Sequence, residues 1–119
     1  MLIVDDDKFL LDMYAIKFGE NNFDVDTAFS GTDALSKLAS GTVLPKVILL
    51  DIVMPGVDGF EVLKEIKEKK LAQGTSVIVL SNLGQKEDID KGVSLGADGY
   101  IVKASATPSE VVSRVKEII

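Results

Sequence analysis

The segment VILLDIVMPGVDGF at residues 47–60 carries the clearest structural pattern in the chain. Its first four residues are continuously apolar, which is typical of a strand that is buried on both faces of a parallel sheet. The strand ends at a carboxylate, Asp51, and the turn-forming segment Met54-Pro55-Gly56 follows. A charge at the end of so apolar a strand is usually paired or functional. The stretch therefore predicts an α/β protein with a chemically important group at a strand end.

The pattern of this stretch continues on both sides of it. Short apolar or alternating segments predict four more strands, at residues 2–4, 23–28, 77–80 and 100–102. The segment at 23–28 alternates between apolar and polar residues and is the least apolar of the five. It therefore belongs at an edge of the sheet, whereas the strands at 2–4, 47–50 and 77–80 belong in the middle.

Helices are predicted after every strand from the spacing of apolar residues. The first carries Phe9, Leu10, Met13 and Ile16 on one stripe and ends at Gly19 as its C-cap. The other helices are predicted from Ser30 to Gly41, around residues 60–66, from Glu87 to Leu95, and from Thr107 to the end of the chain. The last of them carries a buried apolar stripe that ends in Ile118 and Ile119.

Five strands that alternate with five helices predict βαβ units and a parallel sheet with helices on both faces. The distribution of apolar strands favours a flavodoxin-like three-layer sandwich, with the five-stranded parallel sheet in the order 2-1-3-4-5, over the longer dinucleotide-binding order. A length of 119 residues predicts one domain that spans residues 1–119.

Composition excludes several classes of function. The chain has no Cys and no His, which excludes zinc fingers, thiol catalysis and the Ser-His-Asp triad. The net charge of −6 argues against direct binding of nucleic acid, which needs a basic face. No apolar run approaches the ~20 residues of a membrane span, and the N-terminus does not have the pattern of a leader peptide. We therefore expect a cytoplasmic protein that binds no membrane.

Polar residues follow the predicted strands at their carboxyl ends. In the proposed strand order the binding crevice lies between the first and third strands, which are followed by residues 5–7, all Asp, and by Asp51. Ser81 and Lys103 follow the fourth and fifth strands. Clustered carboxylates repel each other unless a cation neutralises them, and Mg²⁺ with oxygen ligands is a natural partner. The same carboxylates would repel a flavin phosphate, so flavin binding is not expected.

A purely structural interpretation remains open for single members of this set. Asp7 is more simply the N-cap of the next helix, and Ser81 is a common residue at the start of a loop. Asp5 and Asp6 favour a functional site only when Asp51 is added to them. The constellation, and not one residue, carries the hypothesis.

Four segments together resemble a known family. They are LIVDDD at 2–7, LLDIVMPGVDGFEVL at 49–63, VIVLSN at 77–82 and GADGYIVK at 96–103. The whole chain closely resembles the receiver domain of two-component response regulators and is similar to the single-domain chemotaxis type.

The resemblance implies that Asp51 is the phosphoacceptor. It also implies a site for Mg²⁺ or Mn²⁺, in which Asp6 is a direct ligand and Asp5 binds mainly through water. The Asp51 carboxylate and the backbone carbonyl of Val53 would complete the protein ligands.

The resemblance also assigns roles to residues near the fourth and fifth strands. Lys103 would pair with one phosphoryl oxygen and Ser81 would donate a hydrogen bond to another, while Tyr100 would be the aromatic residue that turns inward. The partners it implies are a sensor histidine kinase or phosphotransfer protein and a downstream effector protein or domain, with dimerisation on phosphorylation as a further possibility. No enzymatic activity is expected apart from self-catalysed phosphoryl transfer and slow autodephosphorylation.

Several positions depart from the family's usual pattern. Ala104 follows Lys103 where proline is usual, which leaves the cis or trans state of that peptide bond open. Asn82 stands where a small residue is common. Val53 and Leu83 offer no polar group to an attacking water, so slow loss of the phosphoryl group is predicted.

Two other functions compete with this interpretation. The loop at 5–7 also fits a haloacid-dehalogenase-type phosphatase with Asp5 as nucleophile and Asp7 as acid–base, but such enzymes need a further acidic pair after a later strand, which this chain lacks beyond Lys103. The second alternative is a degenerate receiver that serves only as an interaction module.

Overall fold

All 119 residues are described by the computed structural model, in which strands and helices alternate along the chain. The strands are β1 (Leu2–Val4), β2 (Asp26–Ala28), β3 (Val47–Leu50), β4 (Ser76–Ser81) and β5 (Gly99–Val102). The helices are α1 (Lys8–Glu20), α2 (Gly31–Ala39), α3 (Gly59–Glu68), α4 (Lys86–Ser94) and α5 (Pro108–Ile118). A short 3₁₀ turn, Lys103–Ser105, joins β5 to α5.

The five strands form one parallel sheet in the order β2-β1-β3-β4-β5, which confirms the predicted fold class. Side chains alternate between the two faces of each strand. One face packs with α1 and α5 in a core of 13 buried residues, and the other face packs with α2 and α3 in a second core of 13. A small third cluster, which includes Phe60 and Val79, lies beside the second and packs against Tyr100.

The second strand is shorter than predicted. Residues 23–28 alternate in polarity, but only Asp26–Ala28 pair with a neighbour. The ladder begins where Leu2 pairs with Asp26. Ahead of it, Met1 contacts the preceding segment through its amino group, which donates to the Asp24 carbonyl, and through its carbonyl, which accepts from the Asp26 N–H at 2.8 Å. Phe23 instead packs edge-to-face on Phe18, with 5.2 Å between the ring centroids.

The predicted end of the first helix is wrong by two residues. Gly19 lies inside α1, the C-cap is Asn21, and Asn22 takes the left-handed conformation with φ of 69°. Asparagine is the non-glycine residue that adopts this conformation most readily. Gly96, which follows the C-cap Leu95, closes α4 with a positive φ of 101°.

The predicted stripe of α1 is also partly wrong. Phe9 and Ile16 are exposed by 78% and 64%, and Leu10 and Met13 lie at the margin of the core. The residues that α1 buries are Leu11, Tyr14 and Phe18. Among the residues of the last predicted stripe, Ile119 is 55% exposed.

The start of α5 agrees with the sequence prediction. The side chains of Thr107 and Glu110 each accept a hydrogen bond from the other's backbone N–H, and Pro108 occupies the first turn. None of the helices combines the length and the apolar character needed to cross a lipid bilayer.

Candidate functional site

The predicted site residues gather at the carboxyl edge of the sheet. Asp5 follows β1, Asp51 follows β3, Ser81 is the last residue of β4 rather than the first beyond it, and Lys103 follows β5. They border one open cleft of about 270 Å³. The residues that line this cleft are Asp5, Asp6, Asp7, Leu10, Asp51, Val53, Ser81, Asn82 and Lys103.

A buried cation between two carboxylates forms the centre of the cleft. The Lys103 ammonium group donates a hydrogen bond of 2.7 Å to Asp5 Oδ2 and lies 3.4 Å from Asp51 Oδ2. Asp5 and Asp51 are only 3% and 7% exposed. Their other oxygens accept backbone N–H groups, from Asp7 at 2.9 Å and from Ile52 at 2.8 Å. Buried charges are stable only when paired and hydrogen-bonded in this way.

Burial and charge shift the protonation of this centre. Burial raises the pKa of Asp51, and the negative charge of Asp5 raises it further, against an opposing effect from Lys103. Burial alone would lower the pKa of Lys103, but hydrogen bonds and charges from Asp5 and Asp51 outweigh it and raise that pKa above its ordinary value. Lys103 is therefore held as a fixed positive charge.

The acidic residues of the cleft have the composition of a site for a hard cation. Carboxylate oxygens of Asp5, Asp6 and Asp51 all lie within 4.8 Å of one another. Asp6 is exposed to solvent, whereas Asp5 is engaged by Lys103 and by the backbone. Oxygen-only donor sets of one or two carboxylates completed by water are what Mg²⁺ prefers. These residues could therefore hold such an ion.

Gly59 shapes the loop that follows Asp51. Its backbone N–H donates to the Ile52 carbonyl at 2.8 Å, which brings the start of α3 back against the end of β3. A Cβ at Gly59 would lie 2.2 Å from the Asp51 carbonyl oxygen, far inside van der Waals contact. Only glycine fits there, and the closed loop leaves the side chain of Val53 59% exposed at the mouth of the cleft.

Ser81 and Tyr100 are joined through the loop after β4. Ser81 is fully buried, and its Oγ accepts a hydrogen bond from the Leu83 backbone N–H at 3.3 Å. The Tyr100 hydroxyl donates to the Leu83 carbonyl at 2.5 Å. The Tyr100 ring does not line the cleft. It lies against α4, where a Cβ at Gly92 would be 3.0 Å from the ring.

The peptide bond after Lys103 is trans, because the chain contains no cis peptide bond. Lys103, Ala104 and Ser105 form the 3₁₀ turn, and the Ala106 N–H is bonded back to the Lys103 carbonyl at 3.4 Å. The question left open by the missing proline is thereby answered.

The sequence analysis did not predict that Leu10 borders the cleft, and it predicted only one of the two roles of Asp7. Leu10 borders the cleft, although its apolar character predicted only a core position. Asp7 is the N-cap of α1, as predicted, with its side chain accepting from the Leu10 N–H at 3.2 Å, and it also borders the cleft. Since Asp7 caps α1 and Leu10 lies in the first turn of that helix, the start of the helix beside the cleft could have indicated this position.

Comparison with known proteins identifies the same architecture. A family model described as "Response regulator receiver domain" matches residues 1–116. The transcriptional regulatory protein ResD of Bacillus subtilis (strain 168) is 36% identical over 119 residues, which are 100% of this chain and 47% of ResD. The chain spans about half the length of the curated relatives that it matches.

Solved structures agree with these sequence matches. Vibrio cholerae chemotaxis protein CheY4 superposes with a TM-score of 0.89 at 26% identity, covering 99% of this chain and 96% of CheY4. A CheX–CheY–BeF₃–Mg²⁺ complex from Borrelia burgdorferi gives a TM-score of 0.88 at 31% identity, covering 98% of this chain and 86% of that chain.

Proposed function

This chain belongs to the family of response regulator receiver domains, and we propose that it accepts a phosphoryl group on the Asp51 carboxylate in a Mg²⁺-dependent reaction. Receiver domains of this family are signalling domains of two-component systems rather than classical enzymes. The observation that carries the proposal is the arrangement around Asp51, whose carboxylate faces an open cleft 3.4 Å from a buried ammonium group and within 4.8 Å of Asp5 and Asp6 carboxylate oxygens.

The chain's own residues can supply most of the chemistry. An Asp51 carboxylate oxygen would bond to phosphorus as the bond between phosphorus and the donor's leaving atom breaks. Phosphoryl transfer needs an in-line nucleophile and fixed positive charge on the equatorial oxygens. Lys103 is a fixed cation at this position, since its ammonium group is held by Asp5.

Asp5, Asp6, Asp51 and the backbone carbonyl of Val53 would hold Mg²⁺ or Mn²⁺. When bound, the ion would offset the mutual repulsion of the carboxylates and add positive charge beside the phosphoryl oxygens. Asp6 has the carboxylate most open to solvent, which suits direct ligation. The hydrogen bonds on both Asp5 oxygens suit a ligand that acts through water.

Ser81 and Tyr100 would convert phosphorylation into a conformational change. The Ser81 Oγ now accepts from the Leu83 N–H, and a phosphoryl oxygen on Asp51 would draw its hydroxyl toward the cleft. Since Tyr100 bonds to the carbonyl of the same Leu83, movement of this loop would release the Tyr100 hydroxyl. The ring could then turn inward, and a two-state packing of this kind is biased by small local forces.

The partners follow from the family and the relatives. The donor would be a sensor histidine kinase or a phosphotransfer protein, and the recipient an effector protein or an effector domain of a longer regulator. We propose that the receiver domain comprises residues 1–119 and acts in the cytoplasm, without direct contact with nucleic acid or membrane, and that phosphorylation can promote a dimer.

The structure disfavours the competing phosphatase interpretation. Asp5, which would be the nucleophile, is held more closely by the Lys103 ammonium group than Asp51 is, at 2.7 Å against 3.4 Å. Asp7, which would be the acid–base, caps α1. The Asp51 carboxylate would also have no role in such an enzyme.

Intact-mass measurement after incubation with a small acyl phosphate tests the proposal. Wild-type protein should gain one phosphoryl group in Mg²⁺ and none in excess chelator. Asp51→Asn should gain none, while Asp12→Asn, the same change at an exposed position of α1, should behave as wild type. An adduct that survives Asp51→Asn, or no adduct on wild type, would contradict the proposal.

A further inference from the structure

The outer side of β2 is an open edge of the sheet, because β2 has a neighbouring strand only on the side of β1. The Asp26 N–H bonds to the Met1 carbonyl at 2.8 Å, and the Ala28 carbonyl accepts from the Asp5 N–H at 3.2 Å, so residues 26 and 28 bond toward β1. Since successive backbone groups of a strand face opposite sides, the N–H and C=O of Thr27 point to the open edge. Such an edge is a template for pairing with another chain.

Two charged side chains of α2 occupy this edge. The Lys37 ammonium group donates to the outward-facing Thr27 carbonyl at 2.5 Å, and Asp33 Oδ2 accepts from the Phe29 N–H at 3.3 Å. The same Oδ2 atom lies 3.4 Å from Lys37 Nζ, so an ion pair joins the two contacts. Asp33 and Lys37 are four residues apart in α2 and therefore lie on the same face of the helix.

Helix capping and the helix dipole explain only part of this arrangement. Asp33 lies in the first turn of α2, where an acidic side chain is favourable, and its N–H donates to Oγ of the N-cap Ser30 at 3.0 Å. Lys37 lies in the last turn, where a cation is favourable. Neither effect directs its ammonium group to a strand carbonyl ten residues away in the chain, so the bond to Thr27 requires another reason.

The positions of the two contacts match those that a further strand would use. In a parallel ladder, a residue donates its N–H to the residue before its partner and accepts at its C=O from the residue after its partner. A residue of an added strand opposite Ala28 would therefore bond to the Thr27 carbonyl and the Phe29 N–H. Lys37 and Asp33 occupy these same two groups, so the ion pair supplies a donor and an acceptor in place of one residue of a sixth strand.

We propose that Asp33 and Lys37 close the open edge of the sheet against strand addition, and that the partner they exclude is β2 of a second copy of this chain. Two copies related by a two-fold axis would bring their β2 edges together antiparallel, with the N–H and C=O of each Thr27 facing those of the other. Phe29 directly follows β2, is 54% exposed and would add apolar surface to such a contact. The inference goes beyond the proposed function and does not depend on it.

The test is sedimentation velocity, without phosphodonor and in excess chelator, on wild type and on the edge variant Asp33→Ala/Lys37→Met. The matched control is Asp90→Ala/Lys86→Met, which removes the ion pair of α4 at the same spacing and likewise leaves the net charge at −6. As concentration rises, the mass of the edge variant should approach twice that of the monomer, while the control should behave as wild type. Association of the edge variant no stronger than that of wild type, or equal association of the control, overturns the proposal.

Amide hydrogen exchange locates the contact. In the edge variant the Thr27 N–H should become protected as concentration rises, because the second copy accepts its hydrogen bond. Dimers in which this N–H exchanges as fast as in the monomer overturn the proposal. Asp33 also supports the start of α2, so Lys37→Met alone is the second variant: it keeps that support, frees the Thr27 carbonyl and should associate more weakly than the double variant. If circular dichroism shows that the double variant does not fold, a Lys37→Met protein that associates no more than wild type overturns the proposal.

Discussion

Replacement of Lys103 by Met removes the cation of the cleft and keeps the length of the side chain. In wild type, the Lys103 ammonium group is 2.7 Å from Asp5 and 3.4 Å from Asp51, and all three side chains are less than 10% exposed. Removal of one partner from a buried ion pair typically costs about 3–5 kcal/mol, because a charge is left buried without compensation. The open cleft admits solvent, so we expect about 3 kcal/mol. For a chain of this size that corresponds to a fall of about 12 °C in Tm.

The matched control is Lys86→Met, the same change at an exposed ion pair. Lys86 lies 3.3 Å from Asp90 with side chains 87% and 64% exposed, and such pairs contribute little to stability. Urea and thermal unfolding followed by circular dichroism, in excess chelator, would measure both variants. If Lys103→Met loses no more stability than Lys86→Met, the view that the buried carboxylates depend on the ammonium group is wrong.

Addition of Mg²⁺ extends this prediction. A ligand that binds only the folded state raises the free energy of unfolding by RT ln(1 + [L]/Kd). In Lys103→Met the ammonium group no longer competes for Asp5, so Mg²⁺ should bind more tightly and raise Tm more than in wild type. A smaller rise than in wild type would contradict this account of competition for the carboxylate.

Three further outcomes are expected. Gly59→Ala should destabilise the protein by about 1–3 kcal/mol in urea unfolding, because the new Cβ would overlap the backbone of Asp51 and Ile52. The control Gly19→Ala has open space inside a helix and should be neutral or stabilising by up to about 1 kcal/mol. Equal effects of the two substitutions would contradict the claim that only glycine fits at position 59. Burial raises the pKa of both Tyr14 and Tyr100, so phenolate absorbance should develop above the pH range of free tyrosine. Since the pKa of each tyrosine is higher in the folded than in the unfolded state, its contribution to the free energy of unfolding should be fully present below about pH 10 and be lost as pH rises through the folded pKa. If both tyrosines of the native protein titrate at the pH of free tyrosine, this prediction is wrong. Val53, exposed at the cleft mouth, gives no polar assistance to attacking water, so the phosphoryl group should persist for minutes or longer in a mass-spectrometric time course, and a half-life of seconds would show this reasoning to be wrong.

The sheet and its order could be predicted from the sequence because burial on both faces leaves an unambiguous pattern. The continuously apolar strands around residues 47–50 and 77–80 lie in the interior of the sheet, and the alternating segment lies at the edge. The convergence of Asp5, Asp51 and Lys103 followed from the same pattern, since parallel strands bring their carboxyl ends together.

Details that depend on partners in space could not be predicted in this way. The start of β2 depends on where β1 begins, and residues 23–28 by themselves carry no information about the start of β1. Phe9 and Ile16 are exposed although they share the spacing of a buried stripe, because the face of α1 that packs on the sheet carries Leu11, Tyr14 and Phe18 instead. The hydrogen bond of Tyr100 depends on a loop 17 residues away. The roles of the site residues came from the resemblance, and they remain predictions.

The bond between Lys103 and Asp5 joins positions 98 residues apart in the chain. It cannot form until the first and last strands are both in place, and the remaining members of the cleft come from strands between them. A copy that lacks either strand therefore has no complete centre for the proposed phosphorylation. The proposed acceptor site is therefore a property of the completed sheet and not of any one segment of the chain.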